Sequence, residues 1–137
     1  MAMTLYLRKK LGDHAIGKAA FTMPSAVYLA LFTASPTVSG LFTNEVTGGS
    51  YARVEITSKL GVFDLTTGIA VSTTDINFAT PTADWGTVTY VAVIDQASGA
   101  SPDISNMLFF DPLPSARLVK SGGRGVQFLA GTVSVTL

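Results

Sequence analysis

The side chains that could carry out chemistry are few in this sequence, and they stand far apart. Its 137 residues include one histidine, His14, and no cysteine. A nucleophilic serine or threonine needs a base within hydrogen-bond reach, and a lone histidine on a weak helix leaves few such arrangements. The acidic residues occur singly, mostly in predicted turns, where an aspartate side chain accepts hydrogen bonds from the backbone. We therefore predict that the chain is not an enzyme and has no cofactor and no metal site.

Several features could still mark a binding site, and each also has a structural interpretation. Turn aspartates could hold calcium, or two carboxylates could act on a glycosidic bond, but no spacing in the chain favours either. Gly122-Gly-Arg-Gly125 lacks the Gly-Lys-Ser/Thr ending of a phosphate loop and precedes a strand, so it predicts a turn. Trp85 is the only tryptophan. Its place before a core strand predicts a lid on the core, with sugar stacking as the alternative.

Arg8, Lys9 and Lys10 form the one basic cluster. Residues 1–20 hold four basic residues and one acidic residue, in a chain whose formal net charge is zero. Three adjacent charges are a weak version of a nucleic-acid footprint, which normally covers a whole face. We predict no nucleic-acid partner, and expect either a solvated helix face or contact with an acidic protein.

The composition indicates a protein that functions by binding partners through its surface. Hydrophobic residues make up 47% of the chain and charged residues only 13%, against about 25% charged in an average globular domain. We expect much of this surface to be buried against partners, the alternative being a β protein rich in uncharged Thr, Ser and Gly. No apolar run approaches the roughly 20 residues of a membrane span, and no secretory signal is recognisable. We therefore expect no membrane partner, and the host cytoplasm as the location before assembly.

Short strand-type segments separated by Gly and Pro turns follow one another along the chain. They predict an all-β fold, an antiparallel β-sandwich of jelly-roll or immunoglobulin-like topology. Residues 26–32 and 87–94 read as core strands, the former with both faces apolar. A strand at 107–110 should be cut by Asp111-Pro-Leu-Pro114, and residues 128–137 should form the last strand. We assign the sandwich domain to residues 25–137.

Residues 1–24 are predicted to form an N-terminal arm or short helix. Spacing of apolar residues favours a helix over residues 4–20, with Thr4 as its cap and Met23-Pro24 as its end. Gly12 and Gly17 weaken it by about 1 kcal/mol each. Such a helix is marginal alone, so we expect it to form against a partner surface.

The segment 33–50 is predicted to be one long loop with a function. Loops of this length are uncommon inside a compact domain unless they bind something. Leu41 and Phe42 in its middle are apolar residues that we expect to dock on a partner. With Arg8, Lys9 and Lys10 they are the predicted partner-binding residues.

Six motifs, which run in the same order through most of the chain, resemble a family of small structural proteins of tailed bacteriophages. They are Gly17-Lys-Ala-Ala-Phe21, residues 27–36, Gly48-Gly-Ser-Tyr-Ala-Arg53, residues 78–90 continuing into Val93-Ile-Asp95, Met107-Leu-Phe-Phe110 and residues 128–137. The chain departs from the family pattern at residues 101–105, where the turn after Asp95 is expanded.

The resemblance implies a structural protein of the virion. Such proteins are often labelled tail fibre proteins, and some look like capsid cement (decoration) proteins on the outside of the head. Fibres elongate by repeats or coiled coils, and this sequence has neither. We therefore predict a capsid cement protein that bridges subunits of the major capsid protein on the head exterior. A homotrimer is expected by analogy with capsomer junctions, and a tail-associated component acting in host attachment is the alternative.

Overall fold

Nine strands and one helix follow one another in the computed structural model, which describes residues 1–99 and 106–137. The expected expansion at residues 101–105 lies outside the described residues. The helix, α1, spans Leu5–Ala15. The strands are β1 (Ala2–Met3), β2 (Tyr28–Phe32), β3 (Val54–Glu55), β4 (Ile69–Val71), β5 (Ile76–Asn77), β6 (Gly86–Ile94), β7 (Met107–Val119), β8 (Gln127–Phe128) and β9 (Ser134–Thr136).

Five of the strands form one antiparallel sheet, in the order β1-β7-β6-β2-β3. The centre of this sheet is the pairing of β2 with β6, from Tyr28 opposite Ile94 to Phe32 opposite Tyr90. Both strands are rich in the β-branched and aromatic residues that fit a pleated, buried surface. The two segments predicted as core strands are therefore confirmed.

Strand β2 is covered on both faces, as its sequence predicts. Successive side chains of a strand point to opposite faces, so Leu29 and Leu31 lie on one face, and Ala30 and Phe32 on the other. All four are fully buried. The first pair belongs to the main core cluster and the second pair to a smaller cluster against which Phe42 packs. The loop after β2 thus folds back over the second face of the sheet.

Two small antiparallel ribbons, β4 with β9 and β5 with β8, lie against the face of the large sheet that carries Leu29 and Leu31. Ile76 of β5, Val135 of β9 and Val133 just before β9 share the main core cluster with Leu29 and Leu31. The architecture is all-β and sandwich-like, with an N-terminal helix, which confirms the predicted fold class.

The C-terminal segment is less regular than its sequence indicates. The single strand predicted over residues 128–137 is wrong, because a turn at Gly131, where φ is +81°, separates β8 from β9. The Ser72 side-chain oxygen accepts hydrogen bonds from the backbone N–H groups of Gly131 and Val133, at 3.1 and 3.3 Å. This side chain holds the turn against the end of β4.

Strand β7 continues through the segment that was expected to break it. It runs unbroken from Met107 to Val119 and contains both Pro112 and Pro114. Pairing with β6 shifts between Val88 opposite Arg117 and Tyr90 opposite Pro112. The prolines are tolerated because this part of β7 lies at the edge of the sheet, where a missing N–H leaves no partner unsatisfied. Among the described residues, β1 pairs only with Phe109 and Phe110 of β7.

Helix α1 packs on the sheet of its own chain, and Leu7 is buried in the main core cluster. Thr4 caps the helix as predicted, since its Oγ1 accepts a hydrogen bond from Leu7 N at 3.3 Å. Thr4 Oγ1 also donates to the carbonyl of Met107 at 2.5 Å, and Thr4 N donates to that of Leu108 at 3.0 Å. The expectation that the helix needs a partner surface is therefore wrong, because β7 supplies that surface.

The helix ends well before the predicted boundary at residue 20. Gly17 has a φ of +72° and donates to the carbonyl of His14 at 3.2 Å, while Lys18 donates to that of Asp13 at 2.8 Å. These two bonds form a Schellman motif, which a glycine with positive φ allows. The glycine that was expected only to weaken the helix in fact terminates it. The division into an arm of residues 1–24 and a domain of residues 25–137 stays a prediction.

Candidate interaction surfaces

The most elaborate polar cluster joins the long loop to the segment before β3. Arg53 Nε and Nη2 donate to the two carboxylate oxygens of Glu45, at 2.7 and 2.6 Å. Tyr51 Oη donates to the same carboxylate at 3.1 Å and accepts from Leu31 N at 2.9 Å. The side chains of Arg53 and Glu45 are only 4% and 12% exposed. Such bidentate, desolvated pairs have defined geometry, and removal of either partner is costly.

This cluster is a structural brace. Arg53 also donates to the carbonyls of Gln96 and Gly99, at 3.0 and 2.8 Å, so it ties the turn after β6 to the loop after β2. Burial, reinforced by the Glu45 carboxylate, raises the pKa of Tyr51 far above its ordinary value. Tyr51 therefore stays neutral, and the charge of Arg53 is already neutralised. The adjoining cleft of about 320 Å³ has no free acid, base or charge for chemistry.

Trp85 is part of the same region and lies inside the fold. It is 4% exposed, its Nε1 donates to the Gly49 carbonyl at 2.9 Å, and its ring meets that of Tyr51 edge-on at 5.5 Å. The prediction of a core lid is confirmed. A ring so buried presents no face for sugar stacking.

An exposed apolar turn connects residue 60 to β4. Val62 and Leu65 are 92% and 102% exposed, and Phe63 is 43% exposed. The turn is fixed by Asp64, whose Oδ1 accepts from the backbone N–H groups of Thr66 and Thr67, both at 2.8 Å. These hydrogen bonds lower the pKa of Asp64. We call residues 62–65 the apolar turn.

A second apolar surface lies beside the helix. Leu5, Val38 and Leu41 are 52%, 43% and 52% exposed. Leu5 N donates to the carbonyl of Val38 at 2.8 Å, which joins the start of α1 to the long loop. We call these three residues the helix-loop patch.

A polar cleft of about 500 Å³ lies between the β5–β8 ribbon and the exposed part of β7. Its charged lining residues are Arg117 and Arg124. Asn77 of β5 and Gln127 of β8, which stand opposite each other in the ribbon, also line it. We call it the two-arginine cleft.

The described residues contain no candidate metal-binding site and no helix that could span a membrane. Among residues 1–99 and 106–137, no three acidic or histidine side chains lie together so that they could hold a metal ion. In the same part of the chain, no helix is long and apolar enough to cross a membrane. The Nδ1 of His14 accepts a hydrogen bond from Phe21 N at 3.1 Å, which gives this side chain a structural role after α1.

The sequence also shows to which protein family the chain belongs. A family model described as Podophage GP4 fiber I protein gp80 matches residues 2–136. The chain belongs to this gp80 family. No curated protein matches it at a significant level. The resemblance to structural proteins of tailed phages is therefore confirmed at the level of a phage structural protein, and the virion is the corresponding location. Families of phage fibre proteins are typically non-enzymatic, in agreement with the prediction for this chain.

The predicted partner-binding residues of this gp80 family member have different environments. Leu41 is exposed, whereas Phe42 packs its ring 6.4 Å from that of Phe32, with the Arg53 guanidinium 5.2 Å from its centroid. Phe42 thus docks on its own chain, and its part in binding a partner stays a prediction. An isolated antiparallel β-bridge between Phe32 and Glu45 holds the end of the long loop against β2.

The basic cluster lies along α1 without forming one site. Lys9 pairs with Asp13 one turn further on, and Lys10 lies 5.7 Å from the ring centroid of Tyr6. Arg8 is exposed. The hydrogen bond from Leu5 N to the Val38 carbonyl joins the start of α1, which carries the basic cluster, to the loop that carries Leu41.

Sequence reasoning missed the brace, the apolar turn and the two-arginine cleft. Glu45 and Arg53 are eight positions apart in irregular segments, where no periodicity predicts a contact. Arg117 lies in β7 and Arg124 in the segment just after it, but the cleft also needs Asn77 of β5, which no local pattern places beside them. The apolar turn had a signal that was available, since Val62, Phe63 and Leu65 interrupt a polar segment without strand or helix periodicity.

Proposed function

We propose that the chain is a fibre subunit of a tailed-phage virion, held in place by apolar contacts with a neighbouring virion protein. The match of residues 2–136 to a fibre protein family carries this proposal. It covers nearly the whole chain, so it concerns this fold as a unit. The described residues form a sandwich-like fold rather than an extended repetitive structure, so we infer that it acts as a module attached to other virion proteins.

The apolar turn supports an attached state. Val62 and Leu65 are almost completely exposed, and exposed apolar groups of this kind mark interaction sites when they cluster. The turn is held rigid by Asp64, so little conformational entropy is lost when it docks. We infer that an apolar pocket of a neighbouring virion protein receives this turn.

Capsid cement on the head exterior is the second candidate function. The observation that favours it is the helix-loop patch, in which exposed Leu5, Val38 and Leu41 lie near the basic residues of α1. An apolar patch with a basic rim suits an acidic surface of the major capsid protein. In this candidate the chain would form trimers at capsomer junctions.

Labelling of virions distinguishes the two functions. Antibodies raised against the purified chain are applied to intact virions, and bound gold particles are counted by electron microscopy. We expect gold at the tail, in small numbers per particle, and blocked adsorption to host cells. Virions that lack the gene product provide the control for antibody specificity.

Two other labelling results would contradict the fibre function. Gold spread over the head at hundreds of positions, with adsorption unchanged, would replace the fibre function by capsid cement. Absence of label from intact and from opened virions would contradict both functions.

A further inference from the structure

The two-arginine cleft places two cationic side chains, Arg117 and Arg124, in one concave site. It is lined by Asn77, Phe78, Thr80, Arg117, Arg124, Gly125, Val126, Gln127 and Leu129, with no acidic residue among them. In the described part of the chain, the ion pairs are Lys9 with Asp13 and Arg53 with Glu45. Neither cleft arginine makes one, nor do the described residues give either of them a side-chain hydrogen bond.

Unpaired arginines in a concave site favour an anionic ligand. A guanidinium group presents its donors in a planar fork that matches a carboxylate or a phosphate. The contrast with Arg53 is direct, since all its donor groups except one face Glu45 or backbone carbonyls. The chain therefore has one satisfied arginine site and one arginine site that is open to solvent.

The other lining groups favour a ligand with hydroxyl groups. The side-chain amides of Asn77 and Gln127 and the hydroxyl of Thr80 each both donate and accept hydrogen bonds. The exposed Leu129 side chain adds one apolar contact surface. The volume of about 500 Å³ lies in the range of roughly 300 to 1,000 Å³ found for small-molecule sites, which is room for one or two sugar rings.

Backbone hydrogen bonds within the chain hold the segments that line the cleft in place. Gly122 N donates to the Pro81 carbonyl at 2.9 Å, and Phe78 N donates to that of Val126 at 2.9 Å. A Cβ atom on Gly125 would lie 3.1 Å from the Phe78 carbonyl oxygen, so the two segments approach closely. This close packing fixes the loop that carries Arg124 and lowers the cost of binding.

We propose that the two-arginine cleft binds an acidic saccharide. Arg117 and Arg124 hold its carboxylate or phosphate group, and Asn77, Gln127 and Thr80 bind its hydroxyl groups. The site goes beyond the proposed function and does not depend on the position of the chain in the virion.

Calorimetric titration of the purified full chain tests the site. The probes are a galacturonic acid trisaccharide, a phosphorylated mannose trisaccharide, neutral maltotriose, inorganic phosphate and an oligothymidylate, all at low salt. We expect at least one acidic probe to bind about tenfold more tightly than maltotriose, because charge-assisted hydrogen bonds are roughly twice as strong as neutral ones. The tighter of the two acidic probes identifies the anionic group as carboxylate or phosphate.

A matched pair of double variants locates the binding. Arg117→Gln with Arg124→Gln should lower the affinity for the acidic probe about tenfold or more, with an unchanged melting temperature. Lys18→Gln with Lys59→Gln removes the same charge from residues that do not line the cleft, and it should bind like the unmodified chain. Gln127→Ala should weaken the acidic saccharide but not inorganic phosphate, since only the saccharide has hydroxyl groups to bind.

Four results would overturn the proposal. They are equal binding of acidic and neutral probes, equal losses in the two double variants, no binding of either acidic probe, and tighter binding of an oligothymidylate than of either saccharide. The last result would assign the cleft to a nucleic acid.

Discussion

At the scale of single residues, Gly49 is constrained both by its backbone conformation and by its close neighbours. Its φ is +57°, and a Cβ atom there would lie 2.9 Å from Ala83 N and from Trp85 Nε1. The neighbouring Gly48 has a φ of +74° but open space around it. Gly49 is therefore needed for both its conformation and its size, whereas Gly48 is needed for its conformation alone.

The different surroundings of Gly49 and Gly48 predict different losses of stability when each is replaced by alanine. Gly49→Ala should lower the free energy of unfolding by about 3 kcal/mol, because left-handed backbone strain adds to overpacking against Trp85. Gly48→Ala should cost about 1 kcal/mol, from the backbone strain alone. Urea unfolding of both variants measures the difference. Equal midpoints would show that the backbone, and not the contact with Trp85, requires glycine at position 49.

At the scale of elements, α1 and β1 make the N-terminal segment part of the sandwich. Ala2 and Met3 pair with Phe110 and Phe109, and Leu7 is 4% exposed within the main core. Leu7→Ala should lower the free energy of unfolding by about 3 kcal/mol, since it leaves a cavity between helix and sheet. Leu5→Ala, on the exposed side, should cost less than about 0.5 kcal/mol.

Thermal unfolding of the whole chain tests this coupling. A single transition that shifts with Leu7→Ala is expected from the structure. An unchanged main transition in that variant would instead support an arm of residues 1–24 that is separate from the domain of residues 25–137.

The elements also show how far sequence reasoning reaches. The core strands β2 and β6 and the cap at Thr4 follow from local patterns, which the sequence carries within a few residues. Strand β1 does not, because it is two residues long and its partner Phe110 is more than a hundred positions away. The break before β9 depends on Ser72, which is likewise distant in sequence. Tertiary contacts fix these irregular segments, and the local secondary-structure propensities of a sequence carry no information about such contacts.

At the scale of the whole molecule, the apolar turn should decide incorporation into the virion. Val62→Asp with Leu65→Asp should leave the melting temperature unchanged, because both side chains are exposed. It should weaken docking by about 2 kcal/mol or more, roughly thirtyfold in affinity. Copies per virion, counted by mass spectrometry after complementation, measure the effect. Met23→Asp changes an equally apolar residue that is 84% exposed elsewhere, and it should be incorporated normally.

Two results would remove the turn from assembly. Normal incorporation of the turn variant would show that the turn faces solvent in the virion. An equal loss with Met23→Asp would show that added negative charge, rather than the loss of apolar contacts, prevents docking.

The prolines of β7 have a consequence for the infected cell. A long edge strand with regular N–H and C=O groups invites strand addition by other chains. Pro112 and Pro114 remove two donors from the part of β7 that lies beyond β1. This edge of the chain therefore offers a poor template for intermolecular sheets. The prolines thus reduce the chance that separate copies of the chain join edge to edge before they enter the virion.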